Sequence, residues 1–341
     1  METRIVKITD PADSVIAEMG AIIKNGGLVS FPTETVYGLG ANAFDSDAVL
    51  SVFAAKNRPA DNPLIVHLTE ISQLDTVAMD VPEEAYRLFE AFSPGPLTII
   101  LKKGDNIPYS VTAGLETVAV RIPSHPIARA LIEAAGVPIA APSSNLSGRP
   151  SPTKAEHVIH DLTGRIDAII DGGACSVGLE STVVELTSGT VNILRPGGIT
   201  KADLESVLAS VSVDRHVTEM VADGDTPKSP GTKYKHYSPE ADVIVIEGDI
   251  KSTTAEIRRL IGEEDSPCGV MCYDGCAFDC EAVLYVGGDN KSYAVHLFDA
   301  LRHFDELGIK KVFAQFCDDD GYGLAVRNRL FKSAGGNVIH V

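Results

Sequence analysis

Residues 311–341 read KVFAQFCDDDGYGLAVRNRLFKSAGGNVIHV. Val312 to Phe316 is an apolar run of strand length, Leu324 to Ala334 has helical periodicity, and Val338 to Val341 is a second short strand. Strands joined through helices at this spacing imply a parallel sheet with right-handed crossovers. The same alternation reaches back to Asp242. Val243–Ile246 reads as a strand, Thr254–Ile261 as a helix, Val270 and Val283–Val286 as strand positions, and Tyr293–Leu307 as a helix. Residues 241–341 are therefore expected to form a small α/β domain around a parallel sheet.

Upstream the pattern is less regular. Asp10 and Pro11 look like the cap and first residue of a helix that carries Val15, Ile16, Met19, Ile22 and Ile23 at helical spacing. Leu28–Phe31 reads as a strand, followed by a polar loop through Thr33, Glu34, Thr35, Tyr37 and Gly38. Asp45 or Ser46 can cap a second helix that ends near Lys56, Asn57 and Arg58, before Pro59. Further strands are expected at Leu64–Leu68, Leu97–Leu101, Val118–Ile122, Val137–Ala140, Ala168–Ile170, Thr182–Leu186 and Val191–Leu194. Few helices separate them, so the first domain, residues 1–209, reads as a mixed sheet with helices packed on it. Residues 210–240 read as a linker. Its stretch SPGTKYKHYSP, residues 229–239, is basic and could fold over a site as a lid.

The chain of 341 residues is 44% apolar, enough for an ordinary core, and carries a formal charge of −18. The charge divides evenly, with −9 over residues 1–200 and −9 over 201–341. Neither half has the basic footprint of a duplex-binding protein. The first residues, METRIVKITD, hold no long apolar stretch, and no run approaches a spanning helix. A soluble, cytoplasmic protein with reduced thiols is expected. Cys268, Cys272, Cys276 and Cys280 recur every fourth residue. On a helix they would share a face fit for a metal, but Pro267, Gly269, Asp274 and Gly275 interrupt one, and free or oxidisable surface thiols are expected instead.

No Walker A sequence is present. Gly38-Leu-Gly40-Ala-Asn-Ala43 imitates a dinucleotide fingerprint without closing a clean strand, and Ser151-Pro-Thr-Lys154 has the spacing of acyl-serine enzymes, but Pro150 and Pro152 flank the serine and no Lys-Thr-Gly follows. Three features carry more weight together. Lys56 and Arg58 stand at a helix end running into prolines, where two cations can converge on a phosphate chain. Ala140-Ala141-Pro142-Ser143-Ser144-Asn145 closes an apolar strand with hydroxyls and an amide, which is also how an ordinary polar turn reads. Arg121 and Arg195 each end an apolar strand, where a guanidinium needs an anionic partner or solvent at its tip; an internal ion pair meets that need as well as a ligand does. His67, within Ile65-Val66-His67-Leu68, reads as a satisfied core histidine more readily than as a catalyst.

These residues carry a resemblance. Lys56-x-Arg58 with Ser143-x-Asn145, set in FPTETVYGLG, KNRPADNPL and APSSNLSG, resembles the paired signature of the YrdC-like threonylcarbamoyl-AMP synthase family. SPGTKYKHYSP and the C-terminal α/β pattern resemble its two-domain form. The resemblance implies an α/β protein with an N-terminal YrdC-like mixed twisted sheet and helices, followed by a smaller Rossmann-like parallel sheet. It implies synthesis of threonylcarbamoyl-AMP and pyrophosphate from L-threonine, bicarbonate and ATP, with Mg2+ on the triphosphate, for threonylcarbamoyladenosine modification of tRNA. Carried over by position, Arg58, Asn62, Thr117, Ser143, Ser151, Arg195, Tyr234 and Tyr237 would contact ATP. Thr35, His67, Arg121, Ala141 and Ser181 would hold threonine. Lys56, Arg58, Ser143 and Asn145 would form the catalytic signature, with Lys56 facing the phosphates and Asn145 orienting the loop. No protein-bound metal is implied. The expected partner is a threonylcarbamoyl transferase complex acting on tRNA; the acidic charge argues that tRNA itself binds weakly or not at all, and no membrane contact is expected.

Overall fold

The structure, a computed structural model, describes residues 1–187, 190–217 and 237–341. Its contacts divide the chain into two units, residues 1–147, 152–176 and 180–233 in the first and 148–151, 177–179 and 234–341 in the second. Each is described by itself. Among the described residues, no helix is long and apolar enough to cross a membrane.

The first unit holds a 12-stranded mixed sheet. Its strands are β1 (Arg4–Lys7), β2 (Val29–Phe31), β3 (Gly38–Asn42), β4 (Ile65–His67), β5 (Ala78–Met79), β6 (Leu97–Lys103), β7 (Thr117–Arg121), β8 (Ile139–Ala141), β9 (Ala168–Asp171), β10 (Thr182–Thr187), β11 (Thr190–Arg195) and β12 (Val211–Val213). Their spatial order is β1-β9-β2-β3-β8-β4-β7-β6-β10-β11-β12, with β5 pairing on β6. Side chains alternate faces along a strand. Val66, Val118, Val120, Ile99 and Ala140 thus point into the large core shared with Val49, Val52 and Phe53 of the helix Ser46–Lys56. Val29, Phe31, Ile139 and Ile170 join a second core built with the helices Val15–Lys24 and Pro126–Ala135.

Three local expectations change. The first helix begins at Val15 rather than beside Pro11. Asp10 instead accepts from Ala12 N in a turn, and Asp13 accepts from Val15 N at the helix entrance. The stretch after Gly38 is a strand, hidden by residues of low strand preference. Its glycines serve close packing. A Cβ at Gly40 would lie 2.8 Å from Ile139 Cγ2 and 2.9 Å from the Phe31 ring. Beyond residue 209 the chain is still in the first sheet, because β12 pairs with β11. Most of the basic stretch 229–239, including Tyr234, lies outside the described residues.

The second unit carries a fully parallel sheet. Its strands are β13 (Asp242–Glu247), β14 (Cys268–Cys272), β15 (Ala282–Tyr285), β16 (Lys311–Phe316) and β17 (Val338–His340), in the order β15-β14-β16-β13-β17. Helices Ile250–Glu263, Asn290–Glu306 and Gly323–Ser333 make the crossovers. The four thiols are free, as expected, but Cys268 and Cys272 are not at the surface. Cys268 and Cys272 are four apart on a strand, so they share one buried face with Val270 against Ile246, Ile257 and Phe313. Burial pushes both thiols up to about 12.

Gly40→Ala is expected to destabilise the protein by about 1–3 kcal/mol, the usual cost of overpacking. Urea unfolding monitored by circular dichroism reads this. An unchanged midpoint would mean that β3 and β8 open without cost.

Candidate functional site

Three adjacent ladders of the first sheet place the candidate residues. β4 and β7 run parallel with His67 opposite Arg121 and Ile65 opposite Ala119. β8 sets Ala141 opposite Ile65, and β6 sets Thr98 opposite Arg121. Neighbours in register share a face. That face therefore carries Thr117, Ala119 and Arg121 on β7, Ile65 and His67 on β4, Ala141 on β8 and Thr98 on β6. Arg195 of β11 stands opposite Val183 of β10, which in turn stands opposite Thr98. Ile65, Ile100, Ala119, Val183 and Leu194 form a small apolar floor of their own.

At one end of this face the polar groups interlock. Ser181 is fully buried, its hydroxyl 2.7 Å from that of Thr98. Arg195 donates from Nε to the Ser181 carbonyl at 3.0 Å and from Nη2 to its hydroxyl at 3.1 Å. Arg121 donates from Nη2 to Glu34 Oε1 at 2.7 Å and from Nε to the Gly95 carbonyl at 3.4 Å. Glu34 Oε2 accepts from Ser124 N at 3.1 Å. Thr35, beside Glu34, is buried, its hydroxyl 2.8 Å from that of Thr33. His67 Nδ1 lies 3.1 Å from the Ile65 carbonyl. Burial first, and the Arg121 charge second, lower the His67 imidazole to about 3, so it is neutral at ordinary pH.

Thr117 stands at the opposite end of β7, four residues or about 13 Å from Arg121. Ala141 leads into the turn Pro142–Asn145. Ser143 there bridges to Gly38, and Ser144 donates from its amide to the Tyr37 carbonyl. The helix Ser46–Lys56 aims at this turn. Asp45 caps its start, accepting from the amides of Asp47 and Ala48. Asn57, left-handed at φ 51°, ends it, with Arg58 N returning to the Phe53 carbonyl. Lys56, buried, extends its ammonium to the carbonyls of Ser143 and Asn145. Its own carbonyl accepts from Ser147 N. Ser143 donates 2.6 Å to the Asn145 side-chain oxygen. Past the helix, Arg58 donates to the Asn62 carbonyl, and the buried Asn62 side-chain amide has no hydrogen-bond partner. A buried amide without partners stands ready for a polar ligand.

The structure thus unites His67, Arg121, Ser181, Arg195, Thr117 and Ala141 on one face, and Lys56 with Ser143 and Asn145 at one turn. Ser151 is fully buried and groups with the second unit. So does Tyr237, whose ring packs on Phe298 at 5.2 Å and lies under the Arg329 guanidinium at 5.6 Å. Tyr234 is outside the described residues. Sequence reasoning singled out neither Glu34 nor Thr98. The signal for Glu34 was present: an acid followed by threonine, in a loop whose neighbours read as site residues. Thr98, inside an apolar strand, gave no such signal.

Comparisons with known proteins place the chain in a family. A family model described as "Telomere recombination" matches residues 21–197, and one described as "Threonylcarbamoyl-AMP synthase, C-terminal domain" matches residues 199–335. The chain is similar to the threonylcarbamoyl-AMP synthase of Pyrococcus abyssi, 47% identical over 94% of each chain, and to that of Bacillus subtilis, 47% identical over 98% of each. The crystal structure of P. abyssi Sua5 complexed with L-threonine matches with a TM-score of 0.95 at 45% identity, covering 99% of this chain and 100% of that one. The crystal structure of E. coli YciO matches with a TM-score of 0.51 at 28% identity, over 58% of this chain and 96% of that one.

The neutral His67 sets a pH dependence. Its folded pKa lies below the ordinary value of 6.5, so its contribution to stability is complete above 6.5. It is lost as pH falls toward about 3, because only the unfolded state takes up the proton. Unfolding free energies measured at pH 7.5 and pH 5.0 are expected to differ more for the native protein than for His67→Gln. Equal differences would show that His67 protonates in the folded state.

Proposed function

The chain belongs to the two-domain threonylcarbamoyl-AMP synthase family, and from that premise we propose how its polar sheet face performs the reaction. The enzyme joins L-threonine, bicarbonate and ATP into threonylcarbamoyl-AMP with release of pyrophosphate, the activation step of threonylcarbamoyladenosine synthesis on tRNA. The observation that carries the mechanistic reading is the pair of buried guanidiniums, Arg121 and Arg195, on one strand face with buried hydroxyls between them.

Threonine's ammonium and bicarbonate give the N-carboxylate with loss of one water and one proton. One oxygen of this carbamate attacks the α-phosphate, and the bond to pyrophosphate breaks. The attacking group is already an anion, so positioning and charge stabilisation carry the rate. In this reading Arg121 takes the threonine carboxylate, with Thr35, neutral His67, the Ala141 backbone and Ser181 lining the pocket. Arg58, Asn62, Thr117, Ser143, Ser151 and Arg195 take ATP; the unpartnered Asn62 amide and the half-buried Thr117 end of β7 support this. Lys56 acts mainly through the turn it holds, fixing Ser143 and Asn145 beside the phosphates. Tyr234 and Tyr237 remain the proposed lid contacts.

Mg2+ enters with ATP as part of the substrate. Among the described residues no group of three His, Cys, Asp or Glu side chains could hold a metal. The phosphates and water would be its ligands, as is common for Mg2+. The product passes to a threonylcarbamoyl transferase complex that acts on tRNA in the cytoplasm. A chain of charge −18 need not grip tRNA itself.

Two measurements test this. Pyrophosphate release from ATP should require both threonine and bicarbonate; release that persists with either omitted would overturn the assignment. Arg58→Ala and Lys56→Ala should each reduce turnover at least about tenfold, equivalent to roughly 1.4 kcal/mol. Native kinetics in both variants would remove these residues from the site.

A further inference from the structure

Glu34 stands apart from the residues used so far. Its side chain is only 7% exposed, and it is the carboxylate that faces Arg121. Each oxygen spends one acceptor position inside the protein, Oε1 on Arg121 and Oε2 on Ser124 N. A carboxylate oxygen can accept twice, so each retains capacity. The Glu34 charge also reaches Cys175, whose thiol is raised by burial and then by Glu34, and His125, which burial lowers and Glu34 raises.

The pair is electrically balanced. A ligand bringing only a carboxylate to Arg121 would leave the buried Arg121–Glu34 pair with a net negative charge. A zwitterion brings one charge of each sign and leaves the balance intact. We propose that Glu34 is a specificity-determining residue: with Arg121 it forms a two-charge reader for a free α-amino acid, the carboxylate toward Arg121 and the α-ammonium toward Glu34. This rests on the placement of threonine at Arg121 proposed above. It extends that reading by naming the charge state the site selects. It also gives the reaction a direction. When the ammonium becomes an N-carboxylate, the charge next to Glu34 changes from positive to negative. The new anion is then repelled from Glu34 and drawn toward the cationic residues that take ATP.

The test is calorimetric titration of the full chain with L-threonine and with N-carbamoyl-L-threonine, a neutral-nitrogen analogue shaped like the carbamate the site must accommodate. The native protein is expected to prefer threonine at least tenfold. Glu34→Gln should weaken threonine binding at least tenfold and change the analogue less than threefold. Equal weakening of both ligands, or unaltered threonine affinity, would overturn the proposal, because Glu34 would then only brace Arg121. Arg121→Met distinguishes the charge reader from the threonine placement beneath it. Unchanged threonine affinity in that variant would overturn the placement itself. Loss of both ligands supports the placement, and the selectivity ratio of Glu34→Gln then decides the role of Glu34. Should Glu34→Gln fail to fold, Glu34→Asp keeps the charge and must retain at least a threefold preference for threonine; equal binding of the two ligands would sink the idea.

Discussion

The pairing of His67 with Arg121 across β4 and β7 is the constraint on which the functional face depends. Strand side chains repeat with period two, so a slip of one residue would turn Arg121 and His67 into the apolar core and bring Val66 and Val120 out. The apolar face prevents the slip. Val66, Val118 and Val120 are almost wholly buried against the helices, and exposing them would cost roughly 1.5–3 kcal/mol each. The same hydrophobic packing that stabilises the sheet therefore fixes which side chains lie on its polar face. Catalysis that works through placement needs that rigidity more than it needs a reactive side chain.

Holding charged groups on a buried face requires internal partners. Arg121 has Glu34 and the Gly95 carbonyl, Arg195 has Ser181, and Lys56 has the carbonyls of a turn. In each case two or more hydrogen bonds to the protein fix the direction of the cationic group. The two readings left open for strand arginines, ligand contact and internal ion pair, are thus not exclusive. Arg121 is in an ion pair, and that pair gives its guanidinium a fixed direction.

Much of this was legible in the sequence where periodicity is strong. The alternation from Asp242 onward gave the parallel sheet, and apolar runs ending in arginine located β7 and β11. What escaped notice did so for physical reasons. β3 is written in Gly38, Leu39, Gly40, Ala41 and Asn42, residues whose own preferences oppose a strand; tertiary packing against Phe31 and Ile139 overrides them. The four-residue cysteine period suggested a helical face, yet four is also a multiple of the strand period, and β14 uses it that way. The carbonyls that hold Lys56 lie 87 and 89 residues away in sequence, and only the folded sheet brings them together.

The glycines of β3 bear on how such proteins are recognised. Gly38 and Gly40 together with Ala43 satisfy the outline of a dinucleotide-binding loop, but at Gly40 the missing Cβ leaves room for the Ile139 and Phe31 side chains of neighbouring strands. Searches that score glycine spacing alone will therefore keep returning this segment as a false nucleotide site, and only its neighbours Phe31 and Ile139 reveal what the spacing is for.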